Sequence, residues 1–176
     1  MRRKLLAGFF AFLFITCWVQ ASTNTIDFTF NPGTGTDMLA EAVAVQPDGK
    51  IIIAGAFRNY NGTPRNFIAR LHKNGTLDQT FVANPNDWVR CVAVQPNGKI
   101  LIGGKFTFVD GVPRNRIARL NADGSLDQTF DPGTGVEEPF FYWLQDDIPS
   151  LFTIALQNDG KILIGGGFRT YNGTPR

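Results

Sequence analysis

Hydrophobic residues in this chain occur in short runs separated by turn dipeptides, a pattern that predicts strands rather than helices. The run at positions 51–53 reads Ile-Ile-Ile and follows the pair Asp48-Gly49, which favours a tight hairpin because both residue types tolerate positive φ. A strand that is apolar at consecutive positions is buried on both faces. The long amphipathic runs that build helices are not part of this pattern. We therefore predict an all-β fold whose sheets are covered on both sides.

One long phrase recurs along the chain and sets its organisation. Lys50 and Lys99 occupy the same place in two copies and lie 49 residues apart, whereas the matching Lys161 follows 62 residues later. Repeats of ~40–50 residues with short strands are typical of four-stranded propeller blades. The copies span residues 43–81, 92–130 and 154–176, and a partial blade at 25–35 matches the end of a copy.

The repeated phrase reads V-A-x-Q-P-D/N-G-K-I-x-I-x-G-x-F, then N-G-x-P-R-N-x-I-A-R-L, then D-G-S/T-L-D-x-S/T-F. It resembles the delta-60 repeat, a family found in bacterial, mostly secreted or surface proteins. The resemblance covers residues 25–176 and implies a β-propeller with no agreed biochemical function. Departures from the phrase are few: Asn74, Asn158 and Phe28 replace its usual Asp, Pro and Gln.

Within a unit, we predict strands at 42–46, 50–57, 66–71 and 77–81, with a polar loop at 58–65. The fold class we expect is a β-propeller-type repeat array of four-stranded blades, forming an incomplete open arc in this chain. Closure of a propeller takes ~4–8 blades, and the copies counted here are fewer. We therefore expect residues 22–176 to expose strand edges and to behave as a fragment.

Residues 1–21 have the composition of a signal peptide. A basic start is followed by an apolar stretch at 5–15, and small residues precede a cleavage point between Ala21 and Ser22. An uncleaved anchor is the alternative, but a membrane span needs ~20 apolar residues. We predict a secreted or cell-surface location, with no membrane span after cleavage.

The charges and reactive side chains exclude several classes of function. The net charge of +2 falls to about −1 once the leader is removed, and the remaining charge is too low for a nucleic-acid-binding surface. His72 is the sole histidine and lies in a turn. Cys91 is at the position that Ala42 has in the previous copy, so we predict that it is a small buried apolar residue. Residues 121–127 carry side-chain oxygens at alternate positions, as calcium-binding loops do. A hairpin turn accounts for the same residues, so we do not predict a calcium site there. We predict no catalytic residue, no cofactor and no metal site.

An insert at 136–150 breaks the symmetry of the repeats. It contains four consecutive aromatic residues, Phe140, Phe141, Tyr142 and Trp143, and a pair of acidic residues lies on each side of them. Aromatic faces beside carboxylates hold sugars or cations in many proteins, so these residues are the candidate ligand-binding site. The alternative is that they fold back over the blade edge as a local core.

The sequence thus predicts a non-enzymatic, exported β-propeller repeat protein that serves as a binding or structural scaffold at or outside the cell surface. A carbohydrate or a surface protein is the expected partner. The alternative is a fragment of a propeller enzyme, a lyase, glycosidase or quinone-dependent dehydrogenase, with its catalytic residues outside this chain. The near-identity of the three units favours the scaffold, because active sites use residues that differ between blades.

Overall fold

The computed structural model describes Asp27, residues 29–137 and residues 150–176. The chain divides into a short unit, Met1–Phe30, and a main unit, Asn31–Arg176. In the short unit, the side chain of Asp27 accepts hydrogen bonds from the backbone and hydroxyl of Thr29. The described residues include no helix that is long and apolar enough to span a membrane.

The main unit is built from antiparallel sheets that follow the sequence repeat, so the predicted all-β repeat architecture is confirmed. Three of these sheets, numbered 1 to 3, each begin with a hairpin of two longer strands, and a third strand lies next to the second strand in sheets 1 and 2. Sheet 1 contains β1 (Ala40–Val45), β2 (Ile51–Gly55) and β5 (Ile68–Leu71); sheet 2 contains β6 (Val89–Val94), β7 (Ile100–Gly104) and β10 (Ile117–Leu120); sheet 3 contains β12 (Ser150–Leu156) and β13 (Ile162–Gly167).

The predicted hairpin turns are present between the first two strands of each sheet. Gly49, Gly98 and Gly160 adopt φ values of 81°, 81° and 84°, which only glycine takes without strain. The side chain of Asp48 accepts a hydrogen bond from the Lys50 amide at 3.0 Å and closes the first of these turns.

A second, smaller hairpin occupies the region that the sequence suggested was a loop, so that prediction was wrong. Asn61 and Gly62 both have positive φ, 47° and 75°, which matches the right-handed twist of a two-residue hairpin. An Asn-Gly or Asp-Gly pair turns the chain in the same way in every copy. The hairpins are β3–β4 (Asn59–Tyr60 and Thr63–Pro64), β8–β9 (Phe108–Val109 and Val112–Pro113) and β14–β15 (Thr170–Tyr171 and Thr174–Pro175), and β11 (Val136–Glu137) pairs with β14.

The predicted fourth strand is much shorter than expected. Only Leu77 pairs with Leu71, through an isolated bridge, and Leu126 pairs with Leu120 in the same way. The backbone then turns because the carboxylate of Asp78 accepts hydrogen bonds from the amide and hydroxyl of the residue two positions later. Each complete unit therefore has three strands, a small hairpin and, in place of a full fourth strand, an isolated bridge.

Sheet 2 lies between sheets 1 and 3 and is buried on both faces. Its β7 residues Ile100, Leu101 and Ile102 are fully buried, as predicted for a doubly covered strand. One core joins sheet 1 to sheet 2, and a second core joins sheet 2 to sheet 3. In contrast, Leu163 of sheet 3, which corresponds to Leu101, is 54% exposed. Among the described residues, the sheets stack in an open arc rather than a closed ring.

Neighbouring sheets approach each other most closely along their first strands. The contacts between sheets are concentrated on β6, which lies against β1 and β2 on one side and β12 on the other. We call the side formed by β1, β6 and β12 the inner edge. In a propeller-type arrangement this edge faces the axis around which the blades are placed.

Candidate binding surface

The aromatic residues predicted to bind a ligand, Phe140, Phe141, Tyr142 and Trp143, lie outside the described residues, as do Ala21 and Ser22 at the expected cleavage site. Both ends of the insert are nevertheless fixed. Glu137 near its start pairs with Thr170, and Ser150 at its end pairs with Gly167. Because residues 167 and 170 follow each other closely, the insert starts and ends at the end of sheet 3 where β13 finishes. We call this end of the sheets the insert end.

A β-bulge at the insert end of each first strand places one residue outside the regular pairing. The register shifts between Ala40 and Ala42, and the equivalent shifts in β6 and β12 leave Arg90 and Phe152 unpaired. Glu41 is the corresponding residue of β1. Bulges redirect side chains and are common beside functional sites. The three equivalent positions carry an acid, a base and an aromatic ring, so they differ in chemistry between repeats.

Arg90 lies close to the other two bulge residues across the inner edge. The guanidinium carbon of Arg90 lies 5.0 Å from the centre of the Phe152 ring, within the range of a cation–π interaction. The Arg90 Nε is 3.9 Å from the Glu41 carboxylate, an ion pair too long for a hydrogen bond. Within the described residues, this Nε has no hydrogen-bond partner. The Phe152 side chain remains 52% exposed.

Trp88 enlarges this group and brings a second cation to it. Arg90 lies 5.6 Å and the Lys105 Nζ 5.2 Å from the centre of the Trp88 ring. The Trp88 carbonyl also accepts the Lys105 backbone N–H at 2.8 Å, which fixes the two residues beside each other. In the first repeat, Leu39 and Ala56 take the places of Trp88 and Lys105. Two aromatic rings and two cations thus form a surface centred on sheet 2, in which Trp88 packs against the core between sheets 1 and 2 and Phe152 belongs to sheet 3.

The charged residues that recur in every complete unit form a different arrangement. The Asp78 Oδ2 lies 2.9 Å from both the Lys50 Nζ and the Arg70 Nε. Burial by itself would raise the pKa of Asp78, but hydrogen bonds from Thr80 and Lys50 and the charge of Arg70 hold it well below its usual range. The Arg70 guanidinium also lies over the Phe81 ring and donates to the Ala122 carbonyl in sheet 2.

The second unit repeats this network with the same geometry. The Asp127 Oδ2 lies 2.7 Å from the Lys99 Nζ and 2.6 Å from the Arg119 Nε. Hydrogen bonds from Lys99 and Thr129 lower the pKa of Asp127. Since every oxygen of these carboxylates has a partner of the same kind in both units, the network stabilises the blades.

The reactive side chains singled out in the sequence lie apart from each other. Cys91 is buried in the core between sheets 2 and 3, as predicted, and burial raises the pKa of its thiol to about 12. His72 is exposed in the turn after β5. The Asp123 carboxylate accepts bonds from the Ser125 amide and hydroxyl, which is the predicted hairpin turn. In the part of the chain that the structure describes, no three metal-ligating residues gather.

Sequence reasoning missed the bulge residues, although a signal for them exists. The alignment that matches Cys91 with Ala42 also matches Arg90 with Glu41 and Phe152. A position that changes from acid to base to aromatic, within an otherwise repeated phrase, is a departure from symmetry like that of the insert. The bulge itself cannot be read from the alternation of polar and apolar residues.

Comparison with known proteins supports the repeat organisation. A family described as a domain of unknown function (DUF5122) beta-propeller matches residues 46–81, 95–130 and 157–176, just over half of the chain. Each matched segment begins directly after the first strand of a sheet and contains its second strand. No curated protein matches the chain.

Proposed function

Because the chain belongs to the DUF5122 beta-propeller family, we propose that it is an exported, non-enzymatic scaffold that binds a carbohydrate or a surface protein at the insert end of its sheets. The more specific assignment to delta-60 repeats, and with it a bacterial surface setting, is part of this proposal. It is supported by the phrase that recurs in all three copies.

The observation that carries the proposal is the position of the residues that differ between repeats. Trp88, Arg90, Lys105 and Phe152 gather at the same end of the sheets from which the aromatic insert leaves and to which it returns. Exposed aromatic faces stack on sugar rings, and paired cations suit a sugar that carries carboxylate or sulfate groups. A rigid scaffold that presents variable loops at one end is a common way to build a binding site.

Among the described residues, the surroundings of two carboxylates and of the one thiol support binding rather than catalysis. The carboxylates of Asp78 and Asp127 are held in ion pairs and accept further hydrogen bonds. The Cys91 thiol is buried and its raised pKa keeps it protonated at neutral pH. A general acid or base needs an accessible group with a pKa near the working pH.

Export is supported by the composition of residues 1–21, which lie outside the described residues. We expect N-terminal sequencing of secreted material to begin at or near Ser22. A mature protein that retains Arg2 would contradict export through a cleaved leader.

Binding is tested with the full chain against immobilised polysaccharides, neutral and anionic, and against cell-surface protein fractions. We expect Tyr142→Ala/Trp143→Ala to abolish binding, and Phe152→Ala to weaken it about tenfold or more, since stacking on an exposed ring is lost. The matched control is Val45→Ala, which removes an exposed apolar side chain at the opposite end of β1.

Three results would contradict the proposal. The insert would be a local core, and not a binding surface, if Tyr142→Ala/Trp143→Ala unfolds the protein, as judged by far-ultraviolet circular dichroism. The site would lie elsewhere if Val45→Ala and Phe152→Ala weaken binding equally. Turnover of a bound glycoside by the chain itself would favour the enzyme alternative.

A further inference from the structure

We propose that Arg90, with Lys105 beside it, binds the carboxylate of a uronic acid, so that the ligand at the insert end is an acidic polysaccharide. This inference rests on the proposed function, since it names the ligand class for the same surface. Both residues belong to sheet 2, and the environment of Arg90 includes Glu41 of sheet 1 and Phe152 of sheet 3.

Among the described residues, this surface has one cation more than it has acids to balance it. Glu41 is within salt-bridge distance of Arg90, at 3.9 Å, but no described carboxylate is within that distance of Lys105. A second acid, Asp87, accepts a backbone N–H at 2.7 Å and interacts electrostatically with Arg116. One further negative charge is therefore the electrostatic complement of the surface.

Arg90 has a hydrogen-bond donor that the sheets around it do not use. Its Nε is shielded from solvent and has no hydrogen-bond partner among the described residues, and the Glu41 carboxylate attracts it from a distance too long for such a bond. A shielded donor without a partner is unfavourable, and a ligand oxygen at hydrogen-bond distance removes that penalty. A guanidinium offers two parallel N–H groups, which match the two oxygens of one carboxylate.

The two aromatic rings favour a planar anionic group that is attached to a sugar. The guanidinium carbon of Arg90 lies 5.6 Å from the centre of the Trp88 ring and 5.0 Å from that of the Phe152 ring. A group bonded to the edge of this guanidinium lies beside the rings, where a planar carboxylate needs less room than a tetrahedral sulfate. The uronic acid ring also presents C–H groups that pack on an aromatic face. An aspartate or glutamate side chain of a protein ligand has no such face.

Glu41 competes with the ligand for the charge of Arg90. Its carboxylate is partly exposed and is attracted to the same guanidinium that would hold the ligand. A second carboxylate at this place is repelled by Glu41, because like charges brought together at an interface are unfavourable. Removal of this charge should therefore increase the affinity for an acidic sugar, which is an effect that unfolding of the protein cannot imitate.

The test measures binding of a short oligogalacturonate to the full chain by isothermal titration calorimetry at low ionic strength. The matched ligand is its methyl ester, which has the same sugar rings without the charges. We expect the acid to bind about tenfold more tightly than the ester. Arg90→Lys keeps the positive charge but loses the planar pair of donors, and it should weaken binding of the acid about tenfold. Glu41→Gln should strengthen it about threefold.

The matched control is Lys73→Ala, which removes a positive charge from an exposed turn beside Gly49, at the end of sheet 1 opposite the bulges, and should leave the affinity unchanged. The inference is overturned if Arg90→Lys has no more effect than this control, or if Glu41→Gln weakens binding. It is also overturned if dextran sulfate or polyglutamate binds more tightly than the oligogalacturonate, because a sulfate ester or a protein would then be the preferred ligand.

Failure of this inference can be told apart from failure of the proposed function. Equal binding of the acid and the ester, with both weakened by Phe152→Ala, would overturn the uronate subsite and leave a carbohydrate-binding scaffold. Absence of binding to every polysaccharide and to surface protein fractions would overturn both.

Discussion

The aspartates Asp78 and Asp127 and the bulge residues Glu41, Arg90 and Phe152 both occupy equivalent positions in successive repeats, yet their surroundings differ completely. Each aspartate meets a lysine, an arginine and a threonine in the same geometry. Each bulge residue has a different chemistry and contacts its counterparts in the neighbouring sheets. In this molecule, residues that are identical between repeats stabilise the blades, and residues that differ form the accessible surface at the insert end.

The largest expected effect follows from removing a repeated carboxylate. Asp78→Ala should lower the free energy of unfolding by about 3 kcal/mol, because the buried Arg70 loses its counter-charge. Urea unfolding of the full chain measures this. The matched control is Asp159→Asn, in the exposed pair with Lys161, for which we expect no measurable change. Equal effects of the two substitutions would contradict a stabilising role for the repeated network.

Acid should weaken the same network in the unmodified protein. The pKa values of Asp78 and Asp127 are lower in the folded chain than the usual value of about 3.9 for an unfolded chain. Their contribution to stability is therefore complete at neutral pH and is lost as the pH falls below about 4 towards the folded pKa values. Thermal melting between pH 6 and pH 2 should show this decline, and Asp78→Asn should make it shallower. A decline of unchanged steepness in the variant would exclude Asp78 as a source.

At the inner edge we expect a smaller effect on stability. Arg90→Ala removes the contacts with the Trp88 and Phe152 rings and should cost about 1 kcal/mol. A double-mutant cycle with Phe152→Ala isolates the contact with that ring, because the two residues touch. Additive effects would show that the cation and the ring do not interact in solution.

The smallest effect is expected for the long ion pair between Glu41 and Arg90. Glu41→Gln keeps the shape of the side chain and should change the free energy of unfolding by less than about 0.5 kcal/mol. Because the pair is partly exposed, the difference should vanish at 1 M salt, which chemical unfolding at low and high ionic strength can measure. A larger effect that persists in salt would place Glu41 among the stabilising residues.

Much of the fold could be predicted from the repeated phrase, and the errors have identifiable causes. The consecutive apolar residues Ile100, Leu101 and Ile102 correctly indicated a strand covered on both faces. The pattern predicts a loop where the small hairpin lies because the strands of this hairpin have two residues each, although the pair Asn61-Gly62 carries the turn signal. Strands this short leave no alternation to detect.

The candidate site was harder to predict than the fold. The insert was noticed because it changes the length of the repeat. Arg90 and Phe152 do not change that length, and they meet only because bulges in separate sheets point their side chains towards each other. Contacts of this kind depend on how sheets stack, which the local pattern of a strand does not record.

The hydrogen bond from Arg70 to the Ala122 carbonyl has a consequence for how the molecule opens and closes. It joins the ion network of sheet 1 to a turn of sheet 2, so opening of that turn deprives Arg70 of a partner while its own sheet is still intact. In repeat arrays, stability is the sum of what each unit contributes and what each junction contributes. Arg70 contributes to both, because it joins two sheets whose own hydrogen-bond ladders are separate.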